Sequence, residues 1–248
     1  MTSAKMGGTP SHPELLDWLA VWFRDQAKGS LKALHRLIVT SETYRQSALD
    51  RADGAARDAD NRLLWRMNRT RLTAEQVRDS LLQMSGRLDL TMGGPSVAQF
   101  VHRGKATFMP DGGAPPFLDY DSFAPDAPEN RRRAVYRFLF RTVPDPFMDA
   151  LDAPDGGSLT PVRGQSTTVF GAFALLNNAF VIRQCEHMAA RLDKEAGDKA
   201  QIAKAFRLLL ERDPRPEELA RFTAYTRAHG LANACQIIVN SNEFLYID

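Results

Sequence analysis

The stretch Arg71-Leu72-Thr73-Ala74-Glu75-Gln76-Val77-Arg78-Asp79 carries the densest set of groups able to do chemistry. At helical spacing Glu75 lies beside both Arg78 and Asp79, while Val77 faces another way. A carboxylate held by a guanidinium can orient a ligand or act as a general base. The same residues can also form a structural ion-pair network that locks their helix to the segment before it. Arg71, Glu75, Arg78 and Asp79 are therefore read as such a network or as a secondary site. A second set is spread over an irregular middle segment: Arg132, Arg133, Tyr136, Arg141, Asp152, Asp155 and Arg163. Arginine forks around a tyrosine suit a carboxylated or sulfated ligand, and Asp152 with Asp155 could supply the carboxylate pair that glycoside cleavage requires. The competing role is anchoring, because a long loop must satisfy its backbone groups and Arg–Asp pairs can pin it to helices. The candidate ligand-binding residues are Arg132, Tyr136, Arg141, Asp152, Asp155 and Arg163; no catalytic residue is identified.

Other signatures of chemistry are missing. The five histidines, at 12, 35, 102, 187 and 229, show neither HxH nor HExxH spacing, and no metal site is expected. His35 reads as a hydrogen-bonded core or boundary residue. Ser166 and Thr168 lack a GxSxG context. Gly93-Gly94-Pro95 is a turn stopped by proline rather than a phosphate loop. Cys185 and Cys235 sit in no CxxC or CxxCH motif, so the chain has no haem c attachment or thiolate zinc site of its own. A bridge between the two cysteines stays open. Trp18, Trp22 and Trp65 recur with leucines, which favours core packing over a carbohydrate platform.

The elements that must position these residues are mostly helical. The 248-residue chain is 44% hydrophobic and 25% charged, ordinary values for a globular protein. A formal net charge of +2 argues neither way about nucleic acid, and none is expected as a partner. No apolar run approaches a membrane span, and Met1 to Pro10 shows no signal-peptide core. Residues 11–90 read as a helical cluster. A capping box at Ser11 and Glu14 opens its first helix and Ser30 caps its second. An exposed loop follows over 50–60, Asn61 to Asn68 has an apolar face, and a second capping box lies at Thr73 and Gln76. Residues 91–165 form an irregular Pro/Gly-rich excursion with a small β element possible over Gln99 to Met109 and Val135 to Arg141, the second of which the three preceding arginines could equally start as a short helix. Residues 166–248 return to helices, the first of them (Thr167 to Asn177) apolar nearly all round and so expected to be buried. The fold expected is mainly α, a single domain with two helical clusters packed together.

Several of these blocks are long and specific. PSHPELLDWLA (10–20), SLKALHRLIVTSETYRQS (30–47), NRLLWRMNRTRLTAEQVRDSLLQMSGRLD (61–89) and NSNEFLYID (240–248) resemble the PSD-type domain of unknown function found in planctomycetes and related bacteria. RRRAVYRF (131–138), RTVP (141–144), LDAPDG (151–156) and ALLNNAF (174–180) extend the likeness over nearly the whole chain. That domain commonly follows cytochrome-c-like and companion modules in large exported proteins. The resemblance therefore implies an exported setting with upstream cytochrome-like and companion modules as partners; a polysaccharide is a further possible partner. Any haem c would sit on the associated cytochrome-like module. Two departures stand out. The family's usual N-terminal helix and Trp-containing segment are lacking, which leads to the expectation of an N-terminally truncated chain that self-associates. Thr168-Val169-Phe170-Gly171 replaces the family's Thr-Pro-Leu-Gln, which puts the role of that Gln in doubt. The function implied is an accessory or ligand-binding module. The alternative is an enzyme acting on extracellular polysaccharide or another acidic substrate, with redox linkage possible.

Overall fold

Leucine, isoleucine, phenylalanine and alanine at three- and four-residue spacing make the fold mainly α among the described residues, as the periodicity leads one to expect. A computed structural model describes residues 10–103, 117–141, 143–157, 160, 163–164, 166 and 168–247. These residues fall into two compact units, one reaching to Thr70 and including Tyr246–Ile247, the other Arg71–Leu245. Residues 71–90, grouped by sequence with the first helices, belong to the second unit.

The first unit contains α1 (Pro13–Asp25), α2 (Leu31–Val39), α3 (Ala52–Arg57) and the two-residue strand β1 (Thr70–Arg71). Ser30 caps α2 as expected, accepting from Ala33 N at 3.3 Å. The capping box at Ser11 does not form. His12 takes the N-cap position without a side-chain cap, and the Ser11 hydroxyl bonds to His12 Nδ1 at 2.9 Å. The stretch expected as a loop over 50–60 holds α3, whose Gly54 lies under Trp65 where a Cβ would overlap the indole ring. Asn61 to Asn68 makes turns rather than a helix. Asn61 and Leu64 take left-handed φ of 52° and 56°, and the Asn61 amide donates to Arg66 O and Asn68 Oδ1 at 2.8 and 2.9 Å. Core packing of the tryptophans holds only in part: Trp65 is half-buried, but Trp18 is 51% exposed and stacks on Trp22 at 6.4 Å. Neither α1 nor α2 has a buried residue, and His35 is exposed.

The second unit holds α4 (Ala74–Ser85), β2 (Val101–Arg103), β3 (Phe117–Asp119), α5 (Pro146–Asp149) and α6 (Val169–Asn177), with α7 (Ala179–Leu192), α8 (Asp198–Leu210), α9 (Pro216–His229), α10 (Leu231–Val239) and α11 (Asn242–Leu245) after them. The terminal β4 (Tyr246–Ile247), which belongs to the first unit, pairs with β1. Helix α4 is set at both ends by sequence. Thr73 and Gln76 form the expected capping box, and Gly86 closes the helix with φ +74°. Its Val77, Leu81 and Leu82 pack toward α7, whose Val181, Cys185, Met188 and Leu192 recur along one buried stripe. α10 packs on α7 through Ala234, Cys235, Ile238 and Val239. Both cysteines stay free thiols, and burial pushes each up to about 12.

Two expectations for this unit need correction. Of the two readings of Val135 to Arg141, the strand fails and a short helical turn forms at its start. Ala134–Tyr136 is a 3-10 turn, started where the Asp79 carboxylate accepts from Ala134 N at 2.7 Å, and a single bridge joins Arg137 to Val97. The β element is instead β2 paired antiparallel with β3, His102 opposite Leu118; residues 104–109 of the expected first strand lie outside the described residues. Helix α6 is not buried either. Gly171 and Leu175 are covered, whereas Val169, Phe170 and Phe173 are 79%, 80% and 64% exposed. Its main neighbour is α7, and one neighbour covers only one stripe of a helix that is apolar all round.

Arg212, between α8 and α9, ties the end of the bundle together. It donates to Glu218 at 2.8 and 2.9 Å, and to Glu243 of α11 at 2.8 Å. The bonds from Arg212 outweigh partial burial and hold the Glu218 carboxyl at about 2, against an ordinary 4.5. A lowered native value stabilises the fold fully above the ordinary one, and this contribution is lost as pH falls through about 2. Glu218→Gln is therefore expected to melt lower at pH 7 and to lose less on acidification from pH 5 to 2. Circular-dichroism melts of both proteins across that range check it, and parallel curves would contradict it.

Candidate functional site

The two polar sets singled out in the sequence meet along α4. Arg71, 7% exposed, donates from Nη1 to Asp152 Oδ2 at 3.1 Å and to the Ser166 carbonyl. Asp152 sits at φ +64° and accepts from Ser166 N at 2.7 Å and Ser166 Oγ at 2.6 Å. Partial burial opposes charge on Asp152, but the two Ser166 donors and the Arg71 guanidinium prevail and hold its carboxyl below the ordinary range. One turn further on, Arg163 Nη1 donates to Glu75 Oε2 at 2.7 Å. Burial again opposes the charge on Glu75, and a backbone N–H bond with the Arg163 guanidinium more than offsets it. Glu75 thus pairs across to the middle segment rather than with Arg78 on its own helix.

Arg78 and Asp79 bind main chain. Arg78, 3% exposed, donates to the carbonyls of Arg132 at 2.8 Å and Asn130 at 2.6 Å, and its guanidinium lies 5.2 Å from the Phe180 ring centroid. Asp79 holds Ala134 N and stands 3.6 Å from Arg78 and 3.7 Å from Arg133. Arg132 stacks on Tyr136 at 4.0 Å and donates to Thr91 O and Gly93 O at 3.2 and 2.7 Å, while the Tyr136 hydroxyl accepts from Gly93 N at 2.8 Å. Arg141 is exposed, with no ion pair among the described residues. Asp155 accepts from Gly157 N at 2.8 Å.

The middle arginines therefore do not gather around one tyrosine. Arg132 closes the 91–93 turn over Tyr136, Arg71 holds Asp152, and Arg163 holds Glu75. Asp152 and Asp155 take separate partners, Asp152 binding Arg71 and Ser166 and Asp155 binding Gly157 N. Glu75, Asp155 and Arg163 do share the lining of a cavity of about 230 Å³, with Arg137, Asp145 and Asp149. Glu75, Asp79 and Arg163 also border a wider groove of about 730 Å³ along α4.

A further polar cluster escaped the sequence reading. Arg137 donates to Gln99 Oε1 at 2.6 Å and pairs with Asp145, and Gln99 Nε2 donates to Glu129 O at 3.0 Å. Asp145 also caps α5 through Phe147 N at 2.8 Å. The dipeptide Asp145-Pro146, an N-cap followed by proline, was the signal that could have placed it. Above this cluster lies a cavity of about 210 Å³, with Arg78, Tyr120, Asn130 and Phe180 in its walls. No group of three or more His, Cys, Asp or Glu side chains is placed to hold a metal ion among the described residues.

A mainly α chain whose irregular middle is tied to one capped helix is the class that fold and site define. Residues 3–226 match PSD1, described as a protein of unknown function (DUF1553), and the chain belongs to that family. No curated protein and no solved structure matches it.

The geometry ranks these links by burial. Asp152→Ala leaves the Arg71 charge and the Ser166 donors without their acceptor, at an expected cost of about 1.5–3 kcal/mol. Arg163→Ala breaks a pair whose side chains are 47% and 31% exposed, at an expected cost of about 0–1 kcal/mol. Urea unfolding of the two variants measures both, and an equal loss would contradict the ranking.

Proposed function

We propose that this chain is an accessory module of a larger exported, cytochrome-associated protein, and that it docks a companion module of that protein. One observation carries the proposal: α6 presents Val169, Phe170, Phe173 and Leu176 to solvent in a helix without a charged residue. A contiguous aromatic and aliphatic ridge of this kind marks a surface that another protein covers. Its chemistry fits an apolar face of a folded module better than a polysaccharide or an anion, since it offers no hydrogen-bonding side chain before Asn177. The first unit adds a second apolar surface, where exposed Leu15, Trp18 and Ile38 line a cavity of about 560 Å³. The polar candidates support the same reading, because Arg71, Arg78, Asp79, Arg132 and Asp152 hold the middle segment in place. Export, and haem c on the partner module, follow from the family resemblance and belong to the proposal.

The competing reading, an enzyme acting on extracellular polysaccharide or another acidic substrate, draws on the cavity shared by Glu75, Asp155 and Arg163. Glycoside cleavage needs one carboxyl kept protonated near neutral pH. Glu75 and Asp152 are both held below the ordinary carboxylate range, a direction that favours neither as that acid.

The test pairs this chain with the separately expressed cytochrome-like and companion modules of its parent protein, with binding followed by analytical ultracentrifugation. Phe170→Asp and Phe173→Asp are expected to weaken association at least tenfold, about 1.4 kcal/mol or more, with unchanged melting because both side chains are exposed. Undiminished binding by both variants would overturn the proposal, as would redox-linked turnover of a glycan that disappears on Arg163→Ala.

A further inference from the structure

The cavity of about 210 Å³ bordered by α4, the Asn130 turn, α5 and the start of α7 is lined by groups whose hydrogen-bonding capacity the ties to the middle segment do not exhaust. We propose that it is a binding site for one neutral sugar ring. Its volume is about seven times the ~30 Å³ that a water molecule occupies in the liquid, which suits a single ring and not an extended chain. The lining combines aromatic surface with planar polar groups. Tyr120, Phe123 and Phe180 offer apolar faces to ring C–H groups, and Arg78, Asn130 and Asp121 offer hydrogen bonds.

Hydrogen-bonding capacity decides the class of ligand. A guanidinium has five N–H donors, and the bonds of Arg78 run to two carbonyls, those of Arg132 and Asn130. Donors therefore remain on a side chain that is only 3% exposed and lies in the cavity wall. Asn130 uses its Nδ2 on Ala124 O and Pro125 O at 3.0 and 3.2 Å, so its Oδ1 remains as an acceptor among the described residues. The exposed Asp121 adds a carboxylate acceptor. A hydroxyl group both donates and accepts, and a ring bearing several can serve guanidinium, amide and carboxylate together. An anionic ligand would meet Asp121 and the Arg137-paired Asp145, and a cationic one would meet Arg78. A neutral polyol meets neither penalty.

The test uses the whole chain and isothermal titration calorimetry with the methyl glycosides of glucose, galactose, mannose, xylose and fucose. Sodium glucuronate provides a charged comparison. Saturable binding of at least one methyl glycoside is expected, weakened at least tenfold by Asp121→Ala and by Phe123→Ala. Asp121 is exposed and Phe123 only half-buried, so both variants should keep the parent melting temperature. Failure of all five glycosides to bind would overturn the proposal, and so would binding of glucuronate alone. Binding left unchanged by both variants would place the sugar elsewhere and overturn it equally. Phe170→Asp should leave sugar binding intact, so this test and the docking test fail independently.

Discussion

A guanidinium in the interior governs this molecule. Arg78 is almost wholly buried, and burial together with the nearby Arg137 charge lowers it to about 10. It is still charged at neutral pH, so its hydrogen bonds have to be made inside the protein. They are made to the main-chain carbonyls of Asn130 and Arg132, in a segment with little secondary structure to satisfy its own backbone. Next to it Asp79 takes Ala134 N–H, so one turn of α4 serves both acceptors and a donor of the same loop. The pair supplies what a neighbouring strand would otherwise provide. The 3-10 turn at Ala134–Tyr136, the Arg132–Tyr136 stack and the wall of the cavity next to Phe180 all depend on that placement.

The helices were legible in the sequence because their signals are local. Thr73, Gln76 and Gly86 state the two ends of α4, and Asn178, accepting from Phe180 N at 2.9 Å, states the start of α7. Ser11 carried the same kind of signal and failed, since its hydroxyl turned to His12 and left the first turn of α1 without a side-chain cap. The partners of the charged residues were not legible, because those choices are made across long sequence distances. Glu75 had Arg78 three residues away and took Arg163, 88 residues away. At Val135, where strand and short helix both stayed open, the choice was also made at long range: a carboxylate from α4 captured the N–H that starts a turn.

Burial was legible where a helix had one apolar stripe and misleading where it had several. Val181, Cys185, Met188 and Leu192 fall on one face of α7 and are buried there. In α6 the apolar residues surround the axis, which ordinarily means burial on all sides. Only Gly171 and Leu175 find cover. The inference from composition to burial assumes that the chain contains enough protein to surround the helix. Among the described residues α6 keeps much of its apolar surface uncovered, and that excess is itself the information.

The tied middle segment and the exposed helix work together in physical terms. Docking costs less when the surface is already ordered, since the entropy of fixing loops is lost during folding and not again on association. α6 follows directly on the part of the chain that Arg71 fixes through Asp152 and Ser166, and Thr168 then caps the helix on Gly171 N at 3.1 Å. The polar network thus sets where the apolar ridge begins. In the proposed docking reading, the carboxylates and arginines singled out in the sequence hold the segment that leads into this apolar surface. The groups left with unused hydrogen-bonding capacity lie at the far end of Arg78, in the cavity beside Asp121.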